Sequence, residues 1–281
     1  MRGPGSSTRS VNCHSRLWND KEGNPDGVPL SSYVVDHRNI KLILCYDGTH
    51  YHGWQRQKNA VTLQETVENQ IHVITGETVS LTASGRTDAG VHALNQVCNF
   101  FTHTRIPPDS LQKGLNSLLP DDVFIKEATW APPDFHARYS AKTKVYEYRI
   151  LNRKAPDIFR RHYVWHIPRP LDIPAMKVCL SHLKGTHDFA SFRSSGSGNT
   201  NPVRTISTSK LTTDGDGDIQ IMVEADGFLR HMVRNIVGTV ISAGFGKISA
   251  DRFREILALK DRRLGGVKAP PQGLFLVDVV Y

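Results

Sequence analysis

With 281 residues, 39% of them hydrophobic, the chain can bury a sizeable core as one large domain or two smaller halves. A formal charge of +8 favours an anionic partner, nucleic acid ahead of an anionic membrane, although a merely basic enzyme would carry the same excess. No apolar run is long enough to span a bilayer, and no apolar signal core stands near the N-terminus.

Residues 1–39 are rich in Ser, Arg, Asn, Gly and Pro and show no sustained apolar period, the composition of a disordered extension. Arg2, Arg9 and Arg16 precede the first acid, Asp20, as in a transit peptide. No clear amphipathic helix accompanies them, so a plain tail ranks ahead of a targeting segment. Cys13, Cys45, Cys98 and Cys179 are scattered and form no CxxC, which reads as reduced, mostly buried thiols of a cytoplasmic protein.

Regular structure begins with a strand over 40–46, ended by Asp47-Gly48-Thr49. Thr62-x-x-Glu65 has the form of a capping box, and Val67, Ile71 and Ile74 continue an apolar helical stripe. Strands are expected over 79–83 and 96–101, a short helix over 108–119 and a strand over 123–128. The alternation over 144–151 predicts a strand with Lys144, Tyr146, Tyr148 and Ile150 on one face. A helix over 173–183 and strands over 203–211 and 219–225 follow. Leu229, Met232, Val233, Ile236, Val237, Val240 and Ile241 mark the buried face of the clearest helix, over 229–243. A helix over 250–259 and a strand over 274–280 close the chain. Mixed strands and helices imply an α+β fold. The theme of 40–150 is expected to repeat over 151–281, and two such halves would leave a cleft between them.

Two segments imitate ligand loops. Asp214-Gly-Asp216-Gly-Asp218 resembles a calcium loop, but the places that need Gly and Glu hold Ile219 and Ala225, so a hairpin turn is expected. Ser194 to Thr200 is glycine-rich but lacks the Lys-Ser/Thr of a phosphate loop. Thirteen histidines include no HExxH and no zinc spacing, so no metal site is expected.

The segment Ser84-Gly85-Arg86-Thr87-Asp88-Ala89-Gly90 sets one carboxylate in a glycine-bracketed turn two residues after an arginine. The glycines let the backbone bend and a large ligand approach. A carboxylate held ionised beside a cation can act as nucleophile or base. A tight turn with a surface Asp would show the same spacing. Four clusters accompany it. Tyr46 to Arg56 mixes aromatics, glycines and polar groups, suited to bases and phosphates, though Tyr51 or Trp54 could equally pack in a core. Phe135 to Tyr148 carries basic residues into a strand with Tyr146 and Tyr148, one to line a cleft and the other to pack. Gly185 to Arg193 reads as a loop in which Asp188 competes with Asp88 for catalysis or caps a neighbour. In Asp226 to Gly238, Arg230, Arg234 and Gly238 fall in one helical row. Arg234, flanked by Val233 and Val237, needs an acidic partner or a cleft.

Five strings, YDGTHYHGWQRQ, SGRTDAGVHA, DFHARYSAKTKVYEY, GTHDFASFR and FLRHMVRNIVG, occur in the order found in one family, and the closing Ala269-Pro-Pro-Gln-Gly-Leu274 fits as well. From Lys41 to Tyr281 the chain resembles the TruA-type tRNA pseudouridine synthases. The resemblance implies two α+β halves with mixed, mainly antiparallel sheets joined around a basic central cleft. It implies isomerisation of uridine to pseudouridine in the tRNA anticodon stem-loop, at positions 38, 39 and 40, without metal or cofactor, by a homodimer. Carried over residue by residue, Asp88 matches the catalytic aspartate and Tyr146 the tyrosine that packs against the target base. Arg86 matches the arginine linked to base flipping, Arg234 the arginine paired with the aspartate, and Leu274 an apolar active-site residue. A non-catalytic RNA-binding protein is the alternative. So is a hydrolase that pairs Asp88 with Asp188 or Glu224.

Overall fold

The computed structural model describes residues 37–196 and 201–281. Most of the expected N-terminal extension, Cys13 within it, and the end of the Ser194–Thr200 loop lie outside the described residues. The first strand, β1 (Arg38–Tyr46), starts two residues before Ile40. It turns Ile40, Leu42, Leu44 and Tyr46 into the core and is followed by α1 (Leu63–Thr75). Leu63, Val67 and Ile71 form the buried stripe of α1. Thr62 does stand at its N-cap with an extended backbone, but its hydroxyl makes no capping bond and is buried without a partner. The capping box is therefore not formed: the Thr62 side chain is fully buried and its hydroxyl bonds none of the free N–H groups.

Next come β2 (Thr82–Ala83), β3 (His92–Thr102), α2 (Pro108–Leu118) and β4 (Val123–Ala131). Proline at the first turn of α2 costs nothing, since that N–H has no helical partner. β5 (Thr143–Leu151) and a two-residue β6 (Trp165–His166) lead to α3 (Ile173–Ser181), which Asp172 caps through the N–H of Ala175. The expected loop over 185–193 instead holds β7 (Gly185–Asp188) and a single 3₁₀ turn. β8 (Val203–Thr213) and β9 (Asp218–Ala225) form the expected hairpin. Its Asp214 carboxylate accepts from the N–H groups of Asp216 and Asp218, a turn closure and not an ion cage. α4 (Met232–Gly244), α5 (Ala250–Leu259) and β10 (Leu274–Val280) complete the chain.

The strands make one mixed sheet in the order β4-β1-β3-β10-β5-β9-β8-β7, with β2 on β3 and β6 on β5. All pairings are antiparallel except β10 with β3 and β6 with β5. The last strand of the chain thus lies in the middle of the sheet. Its run Leu274-Phe275-Leu276 is buried, as suits a strand flanked by neighbours on both edges. This insertion sets β3, which follows the Asp88 turn, two strands from β5, which carries Tyr146. α2 packs on β4, while α3, α4 and α5 pack on one another.

Candidate active site

The Asp88 turn is fastened from two sides. From the sheet, the Tyr46 hydroxyl meets Thr87 Oγ1 at 2.8 Å, and Gln96 of β3 donates to the Gly85 carbonyl at 2.9 Å. Ser84 donates its own hydroxyl to Gln96 at 2.7 Å. From the loop after β1, the Trp54 N–H donates to the Thr87 carbonyl at 3.1 Å, and the Gly90 N–H to the Tyr51 carbonyl at 3.2 Å. Gly53 sits at φ +90°, where a Cβ would stand 2.7 Å from the Thr87 carbonyl oxygen, so only glycine lets the two segments touch. Gly90 is left-handed at φ +73° and packs on Pro271. Gly85 has neither a left-handed φ nor a crowded Cβ position, so its glycine is not needed for the bend.

Tyr51 and Trp54 are both buried, so the first aromatic cluster is a clamp on the turn and not a platform for bases. Tyr51 donates to Asp122 at 2.6 Å. A partly buried polar chain backs the same loop: Tyr163 donates to Asp47 at 2.6 Å, and Asp47 lies 3.0 Å from His92 Nδ1. The far nitrogen of His92 meets the His162 carbonyl at 2.9 Å. Burial pushes the His92 imidazole below its ordinary pKa, against the pull of the Asp47 charge and the His162 and Gln272 carbonyls. The Gly48 N–H also lies 3.1 Å from His92 Nδ1, on the same side of the ring as Asp47.

Asp88, 28% exposed, meets Arg234 of α4, with Arg234 Nη1 2.9 Å from Asp88 Oδ2 across 146 residues of sequence. The Arg234 Nε donates to the Ala269 carbonyl at 2.8 Å, and the Ala269 N–H returns a bond to the Arg234 carbonyl. The guanidinium is thus aimed by the strand of chain that leads into β10. Its need for an acidic partner, legible from its apolar neighbours, is met by Asp88. Arg230 lies outside the helix, exposed, and donates to the Ser195 carbonyl at 2.8 Å.

Tyr146 is buried on β5, with its ring edge-on to Phe228 at 5.0 Å between centroids. Burial raises its phenol pKa, and the neighbouring Tyr46 and Asp88 groups raise it further. Tyr148, on the same face, donates to the Pro270 carbonyl at 2.7 Å and is wholly packed. Leu274 pairs with Tyr148 and Leu276 with Tyr146, so Leu274 shares the face of Tyr146 one cross-strand pair away. Arg86 is exposed and makes no hydrogen bond or ion pair among the described residues. The structure therefore joins Asp88 to Arg234, sets Tyr146 within reach of the Asp88 charge, and leaves Arg86 free at the rim.

His231 was not singled out in the sequence. It stands just before α4 with its Nε2 3.5 Å from Asp88 Oδ1, the oxygen that Arg234 leaves open. The start of the helix moves from 229 to Met232 because His231 takes a left-handed backbone at φ 61°. No periodic pattern signals that conformation.

The two spare carboxylates are occupied elsewhere. Asp188 accepts from the Ala190 N–H and pairs with Lys260 at 3.3 Å, and Glu224 accepts from Thr143 and Thr208. A depression of about 350 Å³ lined by Gln57, Lys58, Asn59, Ala60, Val61 and Glu65 involves none of the site residues.

Residues 43–140 and 180–281 match the family model described as tRNA pseudouridine synthase. The tRNA pseudouridine synthase A of Thermoanaerobacter sp. (strain X514) is 51% identical over 245 residues, covering 87% of this chain and 100% of the relative. That of Acetivibrio thermocellus is 49% identical over 244 residues, again 87% of this chain and 100% of the relative. That of Geobacillus sp. (strain WCH70) is 44% identical over 247 residues, 87% of this chain and 98% of the relative. The chain belongs to the tRNA pseudouridine synthase family.

Proposed function

We propose that this protein is an isomerase that converts uridine to pseudouridine in the anticodon stem-loop of tRNA, at positions 38, 39 and 40, with Asp88 as the nucleophile. The carrying observation is the Asp88 carboxylate held 2.9 Å from a buried arginine, beside a buried tyrosine, in a chain of this family. A stacked base is out of reach, so the target must leave the stem-loop at a cost of about a few kcal/mol. Arg86, exposed and unengaged, is suited to fill the vacated space or hold phosphate. Tyr146 offers a flat face to the flipped uracil, with Leu274 on the same side. Asp88 then attacks C1′, or takes the C2′ proton to give a glycal. In either route the bond from C1′ to N1 is broken, the uracil turns, and C5 rejoins C1′. The C5 proton leaves and N1 gains one, so no redox partner or energy donor enters the balance. The segments 40–150 and 151–281 would act as two halves flanking the cleft. The protein would work as a cytoplasmic homodimer.

Asp88→Asn tests the reading. Pseudouridine mapping on unmodified tRNA should show no product, while melting temperature and tRNA binding stay near those of the parent. Turnover by this variant removes Asp88 from the nucleophile role. Release of free uracil from the parent would instead favour hydrolysis.

A further inference from the structure

We propose that His231 is a positioning residue for Asp88: as a neutral imidazole, it closes an Nε2–H bond onto Asp88 Oδ1 when substrate is bound. The inference rests on the reading of Asp88 as the nucleophile. Arg234 holds Asp88 Oδ2 at 2.9 Å, but one contact leaves the carboxylate free to swing about it. His231 Nε2 faces the other oxygen at 3.5 Å, too long for a formed bond. Catalytic hydrogen bonds often tighten only in the complex with substrate.

Two further observations assign the ring to this task. His231 and Lys260 are the non-glycine residues with positive φ among the described residues, and strain of this kind persists where the surroundings impose it. The left-handed turn carries the ring to the Asp88 side of α4. Its Nδ1 is buried with no hydrogen-bond partner, so among the described residues no group other than Asp88 fixes the imidazole by a polar contact. An N–H at Nδ1 would be buried and unsatisfied, whereas an N–H at Nε2 faces a carboxylate. The Nε2–H tautomer is therefore the favoured one.

The neutral state follows from the same surroundings. Burial lowers the His231 pKa, the Asp88 charge opposes it, and the cations Lys268, Arg234 and Arg230 lower it again. A second full positive charge on Asp88 would blunt it as a nucleophile, while a neutral donor holds its direction with less loss of electron density.

Two variants separate this role from a merely structural one. Asparagine tolerates the left-handed backbone but is too short to put a donor where Nε2 lies. Glutamine places an amide N–H near the Nε2 position and cannot titrate. With enzyme in excess over a tRNA transcript, His231→Asn should slow the single-turnover rate roughly 10- to 100-fold, the loss expected for one hydrogen bond to a charged group. Its tRNA Kd should stay within about twofold of the parent. His231→Gln should recover the rate to within about threefold. The parent rate should fall as pH drops through the depressed His231 pKa, and this fall should be absent from His231→Gln. Parent-like rates in His231→Asn would overturn the proposal, as would equal losses in both variants, or a weakened Kd with an unchanged rate. Asp88→Asn, run alongside, keeps the two claims apart. Its activity would sink the nucleophile reading, whereas its inactivity with a parent-like His231→Asn sinks only this proposal.

Discussion

A lysine at position 234 would keep the charge of the arginine and lose its geometry. Arg234 uses two separate nitrogens, Nε on the Ala269 carbonyl and Nη1 on Asp88 Oδ2. A single ammonium cannot span both acceptors in the fixed plane of a guanidinium. One of them must then go without its charged hydrogen bond, worth about 1.5–3 kcal/mol. Arg234→Lys should therefore lower kcat roughly 10- to 100-fold. Thermal melting would change less, because Asp88 is 28% exposed and water can serve it. Parent-like kcat would show that charge alone suffices. The partnership was only half legible in the sequence. The apolar neighbours of Arg234 announced that it needed an acid or a cleft. Nothing in local pattern chose Asp88, 146 residues away, and the pairing rested on family order alone. His231 gave no signal, since a histidine before a helix is unremarkable until its backbone φ is known.

At the scale of elements, α4 does more than present Arg234. The chain over 266–269 lies directly on the helix at Gly238, where a Cβ would stand 1.6 Å from the Val267 carbonyl oxygen. That backbone has no room to yield without losing the Ala269 bonds that aim Arg234. Gly238→Ala should cost about 3 kcal/mol or more in urea unfolding, the upper end for overpacking, and should depress activity as well. Gly215→Ala is the control. Gly215 has open space and no left-handed φ, and its change should stay within about 0.5 kcal/mol. A mild Gly238→Ala would mean that the segment can lift off without harm. Elements with a clean period were legible in the sequence: α5 and β10 fall where apolar spacing put them. Those without one were not. β7 is a polar Gly-Thr-His-Asp edge strand, held by backbone pairing to β8, and reads as a loop. Apolar spacing puts the start of α4 three residues early because Leu229 continues the stripe although His231 breaks the helix.

Across the whole molecule, the formal charge of +8 acquires a place beside the site. Lys144 runs its stem past the Asp88 turn, 3.9 Å from where a Cβ of Gly85 would lie. Burial lowers its pKa, and the Arg138 and Arg204 charges lower it further, against the weaker pull of Asp226. Three cations from the segment before β5, from β5 itself and from β8 therefore repel one another at one edge of the site. Such crowding costs stability in the free protein and is relieved when an anion arrives. Phosphates flanking a flipped nucleotide are suitable anions. Each phosphate neutralised contributes a slope of about −0.9 on duplex or −0.7 on single-stranded nucleic acid in a plot of log K against log salt. Lys144→Met should thus reduce the slope for tRNA binding by roughly one unit, with a weaker Kd at low salt. Measuring it in the Asp88→Asn background prevents turnover from changing the RNA during titration. Removing the cation should also ease the crowding, so the free variant should melt no lower than its parent. An unchanged slope would mean that the Lys144 charge faces no phosphate and that its crowding serves some other anion.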